Sequence, residues 1–206
     1  MLGKNLLTRL RGRENSPADA QIHLEDGVRF AEQGRYTEAF EELKEALRAD
    51  PDCAEAQIQI GVTYHKMGRP NQAIKAYLAA LEIRSDLVNA YKNLGVEYDG
   101  LGHFLKAMKM YIKAVVLDPN DPELRIDLGM CYFNIGSYAD AIKAFHQALD
   151  IDPNNVRAHF CLALAYLDLN DKKSALEEKS KLEELNEEEL AFQILDKIQR
   201  QSLRAS

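Results

Sequence analysis

The sequence has no tryptophan, and its 206 residues include only three cysteines and six prolines. The cysteines, Cys53, Cys131 and Cys161, are odd in number and far apart, and no Cys-x-x-Cys motif occurs. No histidine follows a cysteine at a spacing typical of metal ligands, so we expect neither a disulfide framework nor a zinc site. Reduced thiols are typical of a cytoplasmic compartment, which is the localisation we predict. No apolar run approaches the roughly 20 residues needed to cross a bilayer.

The sequence also has fewer basic than acidic residues, so its net charge is −7. Such a chain has no overall attraction for a phosphate backbone, so nucleic acid is not expected among its partners. Motifs of catalysis are missing too: there is no phosphate-binding GxxxxGK[ST] loop, no HExxH pair and no GxSxG turn. We therefore predict a protein that is not an enzyme and that needs no metal and no cofactor.

What the sequence does contain is a repeat of 34 residues. Three series of mostly small residues and one series of aromatic residues recur every 34 positions. The spacing between the series is the same in every unit. A 34-residue period with several series in phase indicates an array of helix pairs. The series are Gly27, Gly61, Gly95, Gly129 and Ala163; Gly34, Gly68, Gly102, Gly136 and Asn170; Ala39, Ala73, Ala107, Ala141 and Ala175; and Phe30, Tyr64, Tyr98, Tyr132 and Tyr166.

Each unit of the repeat predicts two helices. In the third unit the first helix would end at Gly102, where a glycine in the left-handed conformation closes it. The second helix stops before a proline, and Asp121-Pro122 begins the next pair as N-cap and first helical residue. Ser16-Pro17 has the same form, so we place the array at residues 16–186, with units at 20–53, 54–87, 88–121, 122–155 and 156–186.

These residues resemble the tetratricopeptide repeat family. The family's Gly/Ala, aromatic, Ala, aromatic, Ala and Pro series is complete in the third unit, but its frequent tryptophan is replaced in every unit. The resemblance implies an all-α, right-handed α-solenoid whose first helices line a concave groove and whose first glycine series lets helices approach closely. The matching residues are Leu94, Gly95, Tyr98, Ala107, Tyr111, Ala114 and Pro119, and the tryptophan replacements are His23, Gln57, Tyr91, Arg125 and His159.

After the array, residues 187–206 carry one apolar helical stripe with charges on the opposite side. The stripe predicts a capping helix that covers the end of the array. The alternative is a free helix that binds a partner. The apolar residues of the stripe are Leu190, Ile194, Leu195 and Ile198.

Before the array, residues 1–15 form a basic amphipathic segment, with four leucines on one helical face and four basic residues around it. Three interpretations are open. The segment is a disordered tail or partial cap, an anchor for an anionic membrane surface or partner, or a ligand for the acidic groove of its own or a neighbouring chain. Monomer and homodimer therefore both stay open.

The predicted groove carries the candidate binding residues. The amides of Gln59 and Asn93 can each hold a peptide N–H and C=O together. Apolar rows flank them, and the alternative is that these side chains simply pack against adjacent helices. Acidic residues nearby favour an apolar peptide or helix that carries Lys or Arg. The predicted contact residues are Gln59, Val62, His65, Lys66, Lys92, Asn93, Val96, Asp99, Ile126, Asp127, Met130 and Phe133.

We therefore predict a non-enzymatic scaffold that binds a peptide or helix of a partner protein in a concave groove. The alternative is a membrane-associated assembly or targeting factor anchored through residues 1–15. A carboxylate clamp of the kind that the resemblance suggests does not fit this sequence. Its lysine, asparagine and arginine positions in the units before and after Asn93 are occupied by Ile58, Val62, Ile126 and Met130.

Overall fold

The computed structural model describes residues 16–205, and all regular structure within that range is α-helical. Consecutive helices pack in pairs, so the predicted all-α repeat fold is confirmed. The helices are α1 Pro17–Glu32, α2 Tyr36–Ala49, α3 Ala54–Lys66, α4 Pro70–Ile83, α5 Val88–Gly100, α6 Phe104–Leu117, α7 Pro122–Asn134, α8 Tyr138–Ile151, α9 Val156–Asp168, α10 Lys172–Glu184 and α11 Glu188–Ala205.

The helices fall into two compact units, and the boundary between them lies within α5. The N-terminal unit ends at Glu97 and contains α1 to α4 and most of α5. The C-terminal unit begins at Tyr98 and contains the helices that follow. Residues 1–15 lie outside the described range, so the three interpretations of that segment stay predictions.

Two helices begin at caps that the sequence predicts. The Ser16 side chain accepts a hydrogen bond from the backbone N–H of Asp19 at 3.2 Å, and Pro17 is the first residue of α1. Asp121 caps α7 through the N–H of Glu123 at 2.8 Å. Each cap satisfies an N–H that has no partner inside its helix, a contribution of about 1 kcal/mol.

The first helix of each pair ends at a residue in the left-handed conformation. Asn170 has a φ of 59°, which confirms that asparagine takes the place of glycine at the end of α9. Asn186 has a φ of 63° and ends α10, a helix end that the repeat does not predict. The glycines of this series are Gly34, Gly68, Gly102 and Gly136, with φ between 66° and 79°.

The other glycine series lets the two helices of a pair approach closely, as the resemblance implies. A Cβ added to Gly61 would lie under 3.0 Å from ring atoms of Tyr77, and one added to Gly129 would lie equally close to Phe145. Both rings are almost fully buried. A large ring from the second helix therefore fills the space beside each glycine, and this contact brings Tyr77 of α4 against α3.

Three of the residues that replace tryptophan form hydrogen bonds between the helices of their own pair, among them Arg125, whose Nη1 donates to Gln147 at 3.3 Å. Nδ1 of His159 lies 2.6 Å from Glu178, and Nε2 lies 3.0 Å from the carbonyl oxygen of Pro153. Nδ1 of His23 lies 2.7 Å from Glu42. Polar contacts therefore connect the two helices at a place where a large ring would otherwise pack.

The last helix, α11, packs against the pair of helices that precedes it. Ile194 is fully buried and Ile198 nearly so, in a cluster that includes Leu167 of α9 and Leu182 of α10. Two residues of the predicted apolar stripe therefore pack against the preceding pair, and the role of this helix as a cap stays a prediction.

The three cysteines are free thiols. Burial raises the pKa of Cys131 to about 12 and that of Cys161 to about 11, so both keep their protons at neutral pH. Among residues 16–205 no helix is long and apolar enough to cross a membrane. In the same range no group of three or more His, Cys, Asp or Glu side chains is arranged to hold a metal ion.

Candidate protein-binding surface

Seven of the twelve predicted contact residues lie in the N-terminal unit, on α3 and α5. Both are first helices of their pairs. His65, Lys66 and Val96 are exposed and the other four are half-buried, so each of them reaches the surface. The seven are Gln59, Val62, His65, Lys66, Lys92, Asn93 and Val96.

A small cavity of about 120 Å³ lies between α3 and α5. Two valines give it apolar walls, and an amide, an imidazole, a phenol ring and a carboxylate give it polar ones. The structure thus brings together side chains that the sequence predicts only as separate rows. The lining consists of Val62, His65, Asn93 and Val96, which the sequence predicts, and of Tyr77 and Glu97, which it does not. We call this space the Glu97 cavity.

Glu97 is a buried carboxylate that sequence reasoning missed. Its side chain is 6% exposed, and its Oε1 lies 2.6 Å from Nδ1 of His65, whose side chain is 52% exposed. At the same place in three other repeats the chain has Thr63, Cys131 and Ala165, all buried and uncharged. The first repeat has the exposed Arg29 here, so the signal in the sequence was a glutamate at a place where three of the other four repeats have a neutral residue.

The negative charge of Glu97 also acts on Tyr77. Burial raises the pKa of the Tyr77 hydroxyl well above its usual value, and the charge of Glu97 raises it further. The phenol therefore stays neutral. A carboxylate beside a neutral aromatic ring attracts a cation, and this is the chemistry that the cavity offers.

A wider depression of about 320 Å³ lies between α1 and α3. Gln59 is one of its lining residues, and Val28 supplies part of its apolar surface. Acidic side chains outnumber the single basic one, so this depression also favours cationic groups. Its lining consists of Gln21, Leu24, Glu25, Val28, Arg29, Glu32, Glu55 and Gln59.

In the C-terminal unit an acidic site between first helices already holds a cation of the chain's own. Arg157 of α9 donates hydrogen bonds to Asp127 at 2.6 Å and to Glu123 at 2.7 Å, both on α7. Burial lowers the pKa of Arg157, but its bonds to the two carboxylates and their charges outweigh burial and raise that pKa. Asp127, one of the predicted contact residues, is thus bound by Arg157, which the prediction missed. Asp99 is half-buried and accepts a bond from Asn134 at 3.4 Å.

Ile126 is a predicted contact residue that the structure contradicts, because it is fully buried in the core of the C-terminal unit. Leu24 and Ile58, at the same place in earlier repeats, are also buried. Apolar side chains at this phase therefore pack into the core. Met130 and Phe133 are half-buried against the same cluster as Ile126. Part of each side chain therefore packs against adjacent helices, as the alternative interpretation predicts.

Sequence comparison finds five matches to models of one repeat family, which together run from residue 3 to residue 170. One is described as TPR repeat and covers residues 131–170. Four are described as tetratricopeptide repeat and cover residues 3–52, 30–95, 88–121 and 110–143. No curated protein matches the sequence.

Several solved structures of MamA are similar to this chain. MamA from Desulfovibrio magneticus RS-1, residue 41 to the end, has a TM-score of 0.75 and 24% identity, covering 82% of this chain and 96% of that one. A second MamA crystal structure has a TM-score of 0.70 and 24% identity, covering 85% and 96%. MamA AMB-1 has a TM-score of 0.68 and 26% identity, covering 82% and 92%. At these identities the likeness supports the fold.

Proposed function

Because the chain belongs to the tetratricopeptide repeat family, we propose that it is a non-enzymatic scaffold that binds an extended peptide or a helix of a partner protein in a groove on its first helices. Its repeats support a role in protein–protein interaction. The observation that carries the proposal is the presence of two acidic, partly apolar depressions on the first helices of the N-terminal unit.

The two depressions offer a peptide main chain equivalent partners one repeat apart. Gln59 lines the depression between α1 and α3, and Asn93 lines the Glu97 cavity. Each amide has both a donor and an acceptor, so each can bind a backbone N–H and C=O without reading the peptide's sequence. A lone peptide held in this way should bind with a dissociation constant on the order of 1 μM, which corresponds to about 8 kcal/mol.

The side chains around the amides define the chemistry of the partner. Val28, Val62 and Val96 present apolar surface at the same place in successive repeats. Glutamates outnumber arginines in the two linings. The surface therefore suits a segment that alternates apolar residues with lysine or arginine.

The test is a double variant, Asn93→Ala with Val96→Asp, titrated with peptides that the wild-type chain selects from a random library. We expect affinity to fall about tenfold or more, because the variant removes one amide and places a charge on an apolar wall. Helicity should not change, since Asn93 and Val96 are both at the surface. Circular dichroism checks that condition.

A matched control comes from the second helix of a pair. Asn71→Ala with Leu78→Asp makes the same chemical changes on α4, where both residues are exposed. We expect this variant to bind the selected peptides as the wild type does. Equal weakening by both double variants would contradict the placement of the binding surface on the first helices.

The membrane alternative depends on residues 1–15, and a deletion of that segment separates it from the scaffold proposal. If the scaffold proposal is right, full-length and truncated chains should sediment equally little with anionic liposomes. Sedimentation of the full-length chain that is lost with residues 1–15 would favour the membrane-associated factor.

A further inference from the structure

The Glu97 carboxylate is deeply buried but has little hydrogen bonding to compensate its burial. It is 6% exposed, and within residues 16–205 its hydrogen-bond partner is His65, which contacts only Oε1. A buried carboxylate is costly unless a cation and further hydrogen bonds compensate it. His65 supplies positive charge only when its ring is protonated, so the carboxylate lacks a permanent counter-charge.

Packing does not explain the glutamate either. The same place is filled by Thr63, Cys131 and Ala165 in three of the other four repeats, and all three are buried without a charge, whereas Arg29 in the first repeat is exposed. A small neutral residue is therefore sufficient to pack a repeat of this chain. The carboxylate is an addition that the fold does not need, and it lines a cavity that opens between surface residues.

We propose that Glu97 anchors a lysine or arginine side chain of the bound partner. This inference rests on the proposed function and specifies its chemistry. The cationic head lies on the Glu97 carboxylate beside the Tyr77 ring, and the aliphatic stem lies between Val62 and Val96. His65, being half exposed, turns toward solvent as the cation enters.

The size and lining of the cavity fit one such side chain. Its volume is about 120 Å³, well above the roughly 10–15 Å³ that a single water molecule needs by the same measure. This is room for one extended side chain and too little for a folded segment. Lysine and arginine combine an apolar stem with a charged head, which matches valine walls that lead to a buried carboxylate. An acidic side chain would be repelled by Glu97.

A small cation that copies the lysine side chain tests the anchor without a known partner. The probe is n-butylammonium, added to the full chain at about pH 8, where histidine side chains are ordinarily neutral. The methyl signals of Val62 and Val96 are followed by NMR. We expect saturable shifts, and Glu97→Gln should raise the dissociation constant about tenfold or more. n-Butanol, which has the stem without the charge, should bind both chains equally weakly.

Equal shifts in wild type and Glu97→Gln, or no shifts in either, would overturn the anchor. The glutamine keeps the shape of the side chain and its contact with His65, and circular dichroism verifies that the variant is folded. The comparison therefore isolates the charge.

Peptides selected on the wild-type chain separate this inference from the proposed function. Replacing their lysine by norleucine keeps the stem and removes the charge. Glu97→Gln should weaken a lysine peptide about tenfold or more and leave its norleucine form almost unchanged. If peptides bind but the two effects are independent, the anchor is wrong and the scaffold stands. If n-butylammonium binds through Glu97 but no peptide is selected, the scaffold proposal fails and the cation site stands.

Discussion

The two acidic sites on the first helices obtain their counter-charge in different ways. Between α7 and α9, Arg157 holds Asp127 and Glu123 at 2.6 and 2.7 Å. Between α3 and α5, Glu97 is less exposed than either of those carboxylates, yet its partner is a half-exposed histidine. The carboxylates of Asp127 and Glu123 are neutralised by an arginine of the next repeat, and this contact connects the two repeats. We propose that the other carboxylate, whose partner is a histidine, stays available to a cation of the binding partner.

The largest effect on the free energy of unfolding should come from placing a second buried carboxylate in the C-terminal unit. Cys131 occupies in α7 the place that Glu97 occupies in α5, and it is 1% exposed. Cys131→Glu should lower the free energy of unfolding by about 3 kcal/mol or more, because the new charge would be buried where the negative charges of Asp99 and Asp127 already act. Urea unfolding followed by circular dichroism measures this.

The control for that variant is Cys131→Thr. Thr63 shows that a threonine fits this place, since its hydroxyl donates to the carbonyl oxygen of Gln59 at 2.7 Å. We expect a loss within about 1 kcal/mol. Similar stability of the two variants would mean that the place tolerates a charge, and the contrast with Glu97 would disappear.

Removing the internal cation should have a smaller effect. Arg157→Ala should lower the free energy of unfolding by about 1–2 kcal/mol, since both carboxylates lose a charged hydrogen bond. The side chain of Arg157 is 47% exposed, so solvent offsets part of the loss. Arg157→Lys should restore part of the stability, because an ammonium keeps the charge without the paired geometry. Unchanged stability of the alanine variant would show that the arginine does not connect the repeats.

The smallest stability effect is expected at Glu97. Glu97→Gln should leave the free energy of unfolding within about 0.5 kcal/mol of wild type or raise it, because removal of a poorly compensated charge costs nothing in packing. Thermal and urea unfolding both measure this. A loss above about 1 kcal/mol would show that Glu97 stabilises the fold through His65, as Arg157 does through Asp127.

The sequence predicts the repeat well because periodic features repeat the same physical demand. A left-handed helix end needs Gly or Asn, and a ring such as Tyr77 needs a glycine opposite it, so each demand appears at a fixed period. Glu97 and Arg157 were missed because each occurs once and departs from its series. The prediction that Ile126 contacts a partner was wrong, because an apolar residue on a first helix can face either the core or the surface. The repeat period alone does not distinguish these two orientations.

The most direct test compares both acidic sites in one NMR titration with n-butylammonium. If Glu97 is the acid left for an outside cation, the methyls of Val62 and Val96 should shift and saturate. The methyl of Met130, one helical turn from Asp127, should not respond. Equal responses at the two sites, or a response only at Met130, would contradict the account.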